Sequence, residues 1–159
     1  DYFPLAVENY WELAHLPVRT IRFTETLDNV QYYGLVADED TAYYRKANDG
    51  KVYERTTTTS ELLKFDLLAD VGDSWVYKPD YLDHAMYGTL QSKNDTITIG
   101  DQTIFNCYRF YFDVPEWADE EQVVWLAPNI GFIEEAYPGG TADRKILTKA
   151  KINGVEIEF

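Results

Sequence analysis

Sulfur and imidazole are nearly missing from this chain. One cysteine (Cys107), one methionine (Met86) and two histidines (His15 and His84) are spread over 159 residues. A lone cysteine has no intrachain partner, so a disulfide framework is excluded, and so is any CxxC or Cys/His zinc spacing. Serine is scarce as well. Ser60, Ser74 and Ser92 are the only three, and none stands in GxSxG. Gly72-Asp73-Ser74-Trp75 reads as a turn entering a strand, not as a nucleophile elbow. Basic residues are outnumbered 14 to 28 by acids, for a net charge of −14. They are scattered rather than clustered, which excludes nucleic acid and disfavours anionic membrane surfaces as partners. No apolar run approaches the ~20 residues of a membrane-spanning helix. The chain opens at Asp1 with Met86 as its only methionine, so a processed product with its signal segment upstream is expected.

Aromatic and β-branched residues are abundant: 13 tyrosines, eight phenylalanines and four tryptophans, within 45% hydrophobic residues. Such a composition supplies a core and excludes disorder. Alternation of period two recurs at Val18–Thr24, with Ile21 and Phe23 on one face, and at Thr96–Ile99. Residues 103–114 form the longest strand expected. Turn signals follow at short intervals: Asp28-Asn29, Asn48-Asp49-Gly50, Val71-Gly72-Asp73, Gly100-Asp101, Pro128–Gly131, Pro138-Gly139-Gly140 and Asn153-Gly154. Asn153-Gly154 is the cleanest two-residue hairpin. Ser60–Leu68 fits a strand better than a short helix, and Pro115–Glu121 fits one helical turn. The expectation is one all-β domain over 1–159, built from antiparallel meander sheets as a sandwich or strongly curved half-barrel, with little helix.

A faint repeat runs through the chain. Val7-Glu8-Asn9-Tyr10-Trp11 matches Val71-Gly72-Asp73-Ser74-Trp75. Asp28-Asn29 matches Asp101-Gln102. Asn48-Asp49-Gly50-Lys51-Val52-Tyr53-Glu54 matches Asn129-Ile130-Gly131-Phe132-Ile133-Glu134-Glu135. The order is the same each time, which leads to two related halves, 5–66 and 67–137, with a C-terminal hairpin at 144–159.

Chemistry-bearing residues are few in kind. Cys107 lies within a strand and reads as a buried inert thiol. Asp80, Asp83 and His84 lack metal-ligand spacing. The oxygen-rich loops offer weak calcium candidates in Asp38, Asp40, Asp119 and Glu120, without an EF-hand framework. A carboxylate pair for glycoside chemistry is not singled out, because Glu134 and Glu135 point to opposite faces of one strand. The adjacent pairs Tyr32-Tyr33 and Tyr43-Tyr44 must split across a strand's two faces, so one tyrosine of each pair is expected outside a single-sided core. Tyr33, Tyr44, Tyr81 and Trp117 are therefore the candidate ligand-binding residues, with Trp117 the most exposed tryptophan expected.

Four blocks carry a resemblance: Tyr2-Phe3-Pro4-Leu5-Ala6-Val7-x-Asn9-x-Trp11; Val71-Gly72-Asp73-Ser74-Trp75; Asn106-Cys107-Tyr108-Arg109-Phe110; and Trp125 through Glu134. In order and over most of the chain, they resemble a group of uncharacterised bacterial secreted proteins and lipoproteins. Glu8 and Asn129 depart from it, since glycine is usual at both positions. The resemblance implies an extracytoplasmic β-rich domain and brings no catalytic residues with it. The expected function is an extracytoplasmic, non-catalytic binding module for an unknown protein, glycan or apolar small molecule, with no cofactor. An apolar-ligand carrier with an aromatic-lined cavity is the alternative, and a carboxylate-based carbohydrate-active enzyme is the third reading.

Overall fold

A computed structural model describes residues 1–55, 60–138 and 144–159. Gly139 and Gly140 of the expected Pro138-Gly139-Gly140 turn lie outside the described residues. Thirteen antiparallel strands form a nearly closed barrel, and no helix occurs among the described residues. They are β1 (Tyr10–Leu13), β2 (Arg19–Leu27), β3 (Val30–Ala37), β4 (Asp40–Lys46), β5 (Lys51–Arg55), β6 (Leu62–Asp66), β7 (Ser74–Tyr81), β8 (His84–Ile99), β9 (Gln102–Asp113), β10 (Gln122–Ala127), β11 (Gly131–Ala136), β12 (Lys145–Ile152) and β13 (Val155–Glu158).

Each strand from β1 to β6 pairs with its sequence neighbour, and so does each from β7 to β12. β12 then pairs with β1, and β13 folds back on β12. Among the described residues the circuit is open between β6 and β7, which are adjacent but share no backbone ladder. Side chains bridge that seam. Trp75 Nε1 donates to the Leu63 carbonyl at 3.0 Å, and Lys64 Nζ donates to the Tyr77 hydroxyl at 2.7 Å.

The two six-strand runs share local features in the same order. Glu8 N donates to Ile21 O and Ile21 N to Asn9 O, both at 2.8 Å. Gly72 N donates likewise to Leu90 O at 2.8 Å, and Leu90 N to Asp73 O at 3.1 Å. A bulge follows at once in both, between Ile21 and Phe23 in β2 and between Leu90 and Ser92 in β8. Glu8 (φ 74°) and Gly72 (φ 98°) share the left-handed backbone, as do Gly50 (φ 79°) and Gly131 (φ 90°) at the β4–β5 and β10–β11 turns. The β2–β3 turn, Asp28-Asn29, corresponds to Gly100-Asp101 at β8–β9, one residue before the match read from sequence.

The interior is filled by aromatic rings. Phe65 is fully buried, with ring centroids of Phe110, Phe3 and Phe112 at 4.8, 5.6 and 5.9 Å. Burying such side chains contributes roughly 1.5–3 kcal/mol each, which offsets the entropy of ordering a long meander. Asn153 (φ 51°) and Gly154 (φ 84°) form the β12–β13 turn, with the two positive φ values of a type I′ hairpin.

Several expectations are corrected. Phe23 does not share a face with buried Ile21: the bulge at Arg22 turns it outward, where it is 37% exposed. β8, not β9, is the longest strand. Within β9, Asn106 takes φ 59° and breaks the alternation, which leaves Asn106 exposed and Cys107 buried. Residues 115–119 form turns and bends rather than a helical turn.

Candidate functional site

Alternation along β5 sends Val52 and Glu54 to the same face, and that face is the barrel interior. Glu54 sits there with Lys64 of β6, Tyr44 of β4 and Tyr77 of β7. The Tyr44 hydroxyl donates to Glu54 Oε2, and the Tyr77 hydroxyl donates to Glu54 Oε1 at 2.7 Å. Lys64 Nζ lies 3.6 Å from Glu54 Oε2. It also lies 4.2 Å from the Tyr77 ring centre and 4.9 Å from that of Phe112, so ring faces and a carboxylate surround it. A second pair faces this one. Arg19 of β2 holds Glu135 of β11 with both terminal nitrogens, and its guanidinium lies 4.9 Å from the Phe132 ring centre. The Tyr137 hydroxyl donates to Glu135 Oε2 at 3.1 Å, and Gln122 donates to Tyr137 at 3.3 Å.

The electrostatics follow from burial and pairing. Desolvation works to raise the Glu54 carboxyl, but Lys64 and the two phenols outweigh it and hold the group below its ordinary value. Desolvation lowers the Lys64 ammonium; Glu54 opposes that, while Lys78 and Arg19 reinforce it. Burial pushes the phenols of Tyr44 and Tyr77 well up, with Glu54 adding to both, and Tyr137 is pushed up to about 12 by burial and Glu135. At neutral pH Glu54 is a carboxylate and the phenols are neutral. Glu54, held ionised beside Lys64, rests as a proton acceptor and can act as an acid only after it has taken up a proton within the cluster.

Three cavities share walls around this cluster. An inner cavity of about 140 Å³ is lined by Arg19, Leu35, Tyr44, Lys64, Phe132 and Glu135 among others. Lys64 and Gln122 are also part of the wall of a second cavity of about 170 Å³, which Lys78, Tyr81 and Glu121 help to line. Lys78 and Tyr81 in turn border an open cleft of about 340 Å³, completed by Glu54, Arg55, Ser60, Leu62, Pro79 and Asp80. The cleft lies where β5, β6 and β7 meet, at the seam without a ladder. Arg55, which lines the cleft, and Glu121, which lines the second cavity, each carry a buried polar atom without a hydrogen-bond partner, Nε and Oε2 respectively. These two smaller cavities are lined with charge, unlike the roughly 300 Å³ apolar chamber that an enclosed carrier needs.

Of the residues singled out from sequence, Tyr44 lies in the inner cluster and Tyr81 at the cleft. Tyr81 donates to Glu120 Oε2 at 3.2 Å. Tyr33 is half-buried beside the core and lines none of these cavities. Trp117 is not exposed: it packs half-buried against the core, 5.4 Å from the His84 ring. Tyrosines were expected outside the core, yet Tyr44 points into it, and Tyr32 and Tyr43 are buried because the outer face of β3 and β4 is itself covered. The Phe23 ring lies 6.1 Å from that of Tyr43, and Arg45 and Arg55 lie against Tyr32 through Glu61 and the ring face. Asp38 and Asp40 sit at the β3–β4 turn, both exposed. Asp119 and Glu120 border the second cavity. No group of three metal-ligating side chains assembles among the described residues. Glu134 is held by Arg144, while its neighbour Glu135 takes Arg19.

Sequence reasoning missed Glu54, Lys64, Arg19 and Glu135. The repeat held a signal, since its third block ends on Glu54 in one copy and on Glu135 in the other. No family model, curated protein or solved structure matches the chain.

Proposed function

We propose that this chain is an extracytoplasmic, non-catalytic binding module whose ligand site is the cleft at the β6–β7 seam. The ligand class is a small organic anion. Lys78 offers a cation whose close neighbours are the Tyr77 and Tyr81 rings, at 5.1 and 5.3 Å from their centres. The Ser60 hydroxyl adds a donor, and Leu62, Pro79 and Tyr81 supply an apolar wall.

The observation that carries this reading is the charged cluster itself. A fold of this size gains little from buried ion pairs, since well-packed apolar residues in their place are often as stabilising. Two such pairs and three phenols gathered beside an open cleft, whose wall includes Glu54, are better explained by recognition than by folding. The extracytoplasmic setting rests on the resemblance in the Tyr2–Trp11, Val71–Trp75 and Trp125–Glu134 blocks. It is supported by the left-handed backbone of Glu8 and Asn129, the two positions at which that group usually has glycine.

The test is calorimetric titration of the intact protein with propionate, benzoate and lactate, repeated with Lys78→Ala and with the distant control Val155→Ser. Saturable binding of at least one acid, weakened about tenfold or more by Lys78→Ala and unchanged by Val155→Ser, is expected. Equal binding by all three proteins, or none by the parent chain, refutes the reading.

A further inference from the structure

Lys64 stands apart from the other seven lysines. It lines both smaller cavities, the second of which shares Lys78 and Tyr81 with the open cleft. It is the first member of a hydrogen-bond relay: Lys64 Nζ donates to the Tyr77 hydroxyl at 2.7 Å, and that hydroxyl donates to Glu54 at 2.7 Å. A structural ion pair requires a cation and an anion. It does not require a phenol between them, nor open volume beside the amine.

We propose that Lys64 captures a small carbonyl compound as an imine, the favoured class being a short 2-oxo acid whose carboxylate rests on Lys78, which lines the same cavity as Lys64. This rests on the cleft being the ligand site. The Lys64 ammonium passes one proton through Tyr77 to the Glu54 carboxylate. The neutral amine attacks the carbonyl carbon, forming the C–N bond as the C=O π pair moves to oxygen. A proton leaves nitrogen for that oxygen, giving a carbinolamine. The proton stored on Glu54 returns through Tyr77 to the hydroxyl, the C–O bond breaks, and water departs. The product is a protonated imine with Glu54 as its counter-ion, so no proton is gained or lost overall.

The surroundings fit the product as well as the amine. A protonated imine carries the same single charge as the ammonium, so the Tyr77 and Phe112 rings and Glu54 serve both. Burial, which favours the neutral amine, assists the attack. The same burial that shields Lys64 from bulk water protects the imine from hydrolysis.

The test is reductive trapping. The intact protein is incubated near pH 7 with pyruvate and cyanoborohydride, and adducts are located by peptide mass spectrometry. Lys64 is expected to be labelled about tenfold or more faster than the mean of the other lysines, because the Tyr77–Glu54 relay moves the protons that imine formation needs. Glu54→Gln is expected to slow labelling at Lys64 while leaving surface lysines unchanged, and Lys64→Arg to abolish the selective adduct. Labelling of Lys64 no faster than that of surface lysines overturns the inference in the parent protein itself, whatever the variants do. Lactate, which has no carbonyl, separates the two readings. Lactate binding without trapping at Lys64 removes the imine alone, whereas failure of both removes the cleft as a ligand site.

Discussion

Replacing Glu54 with glutamine tests the physical description of the interior. The substitution keeps size and shape but removes the charge that faces Lys64, 3.6 Å away, and that accepts from Tyr44 and Tyr77. Lys64 then loses the carboxylate beside it, and both phenols lose a charged acceptor, one of them facing an amide NH₂ instead. Breaking a buried pair from one side costs about 3–5 kcal/mol. That is a large share of a total stability of roughly 5–15 kcal/mol. For a chain of this length it corresponds to a fall in Tm of roughly 6–20 °C. Urea unfolding followed by tryptophan fluorescence measures the difference. The double variant Glu54→Leu with Lys64→Met removes both charges together and is expected to recover most of the loss, since an apolar replacement of a whole pair is often neutral. A Glu54→Gln protein within about 0.5 kcal/mol of the parent, the range of an ordinary surface change, refutes the description of a desolvated, tightly coupled pair.

Further outcomes follow from the same geometry. The advantage of the parent over Glu54→Gln has a pH signature. The folded carboxyl titrates below its ordinary 4.5, so its contribution is complete above that value and is lost as pH falls through the folded value; the two unfolding curves are expected to converge in acid. Gly88→Ala is expected to cost about 1–3 kcal/mol, because the new Cβ meets Trp75 Nε1 at 2.8 Å and that indole is pinned to the Leu63 carbonyl. Gly34→Ala meets the Phe23 ring at 2.5 Å but is expected to cost less in the same urea assay, since Phe23 is on the outer face and can swing aside. Cys107 is fully buried and its thiol is pushed up to about 11 by burial, so alkylation by iodoacetamide is expected to track global unfolding; rapid labelling of the folded protein contradicts its placement.

Architecture was legible where local chemistry decides it. Asn153-Gly154 marks its hairpin because both residues tolerate positive φ, and the recurrent turns spaced the strands well enough to indicate an antiparallel meander. Alternation failed at the bulges. One extra residue at Arg22 and another near Asn106 exchange the faces of the residues that follow, and nothing in composition announces a bulge. The site was less legible, for a related reason. Glu54, Lys64, Arg19 and Glu135 stand on four different strands and meet only when the barrel curves round. In sequence each looks like the polar half of an amphipathic strand. A two-faced sheet was the wrong frame for the tyrosines too. Tyr44 was expected outside the core and lies at its centre, while Tyr43, on the other face of the same strand, is covered by Phe23.

Chemical-shift mapping of the ¹⁵N-labelled protein titrated with pyruvate and with benzoate tests the central claim most directly. Perturbations concentrated on Glu54, Arg55, Leu62, Lys64, Lys78 and Tyr81, and lost in Lys78→Ala, are the expected result. Shifts confined to other surfaces of the barrel, or none at millimolar ligand, would contradict the cleft at the β6–β7 seam as the place where this protein binds.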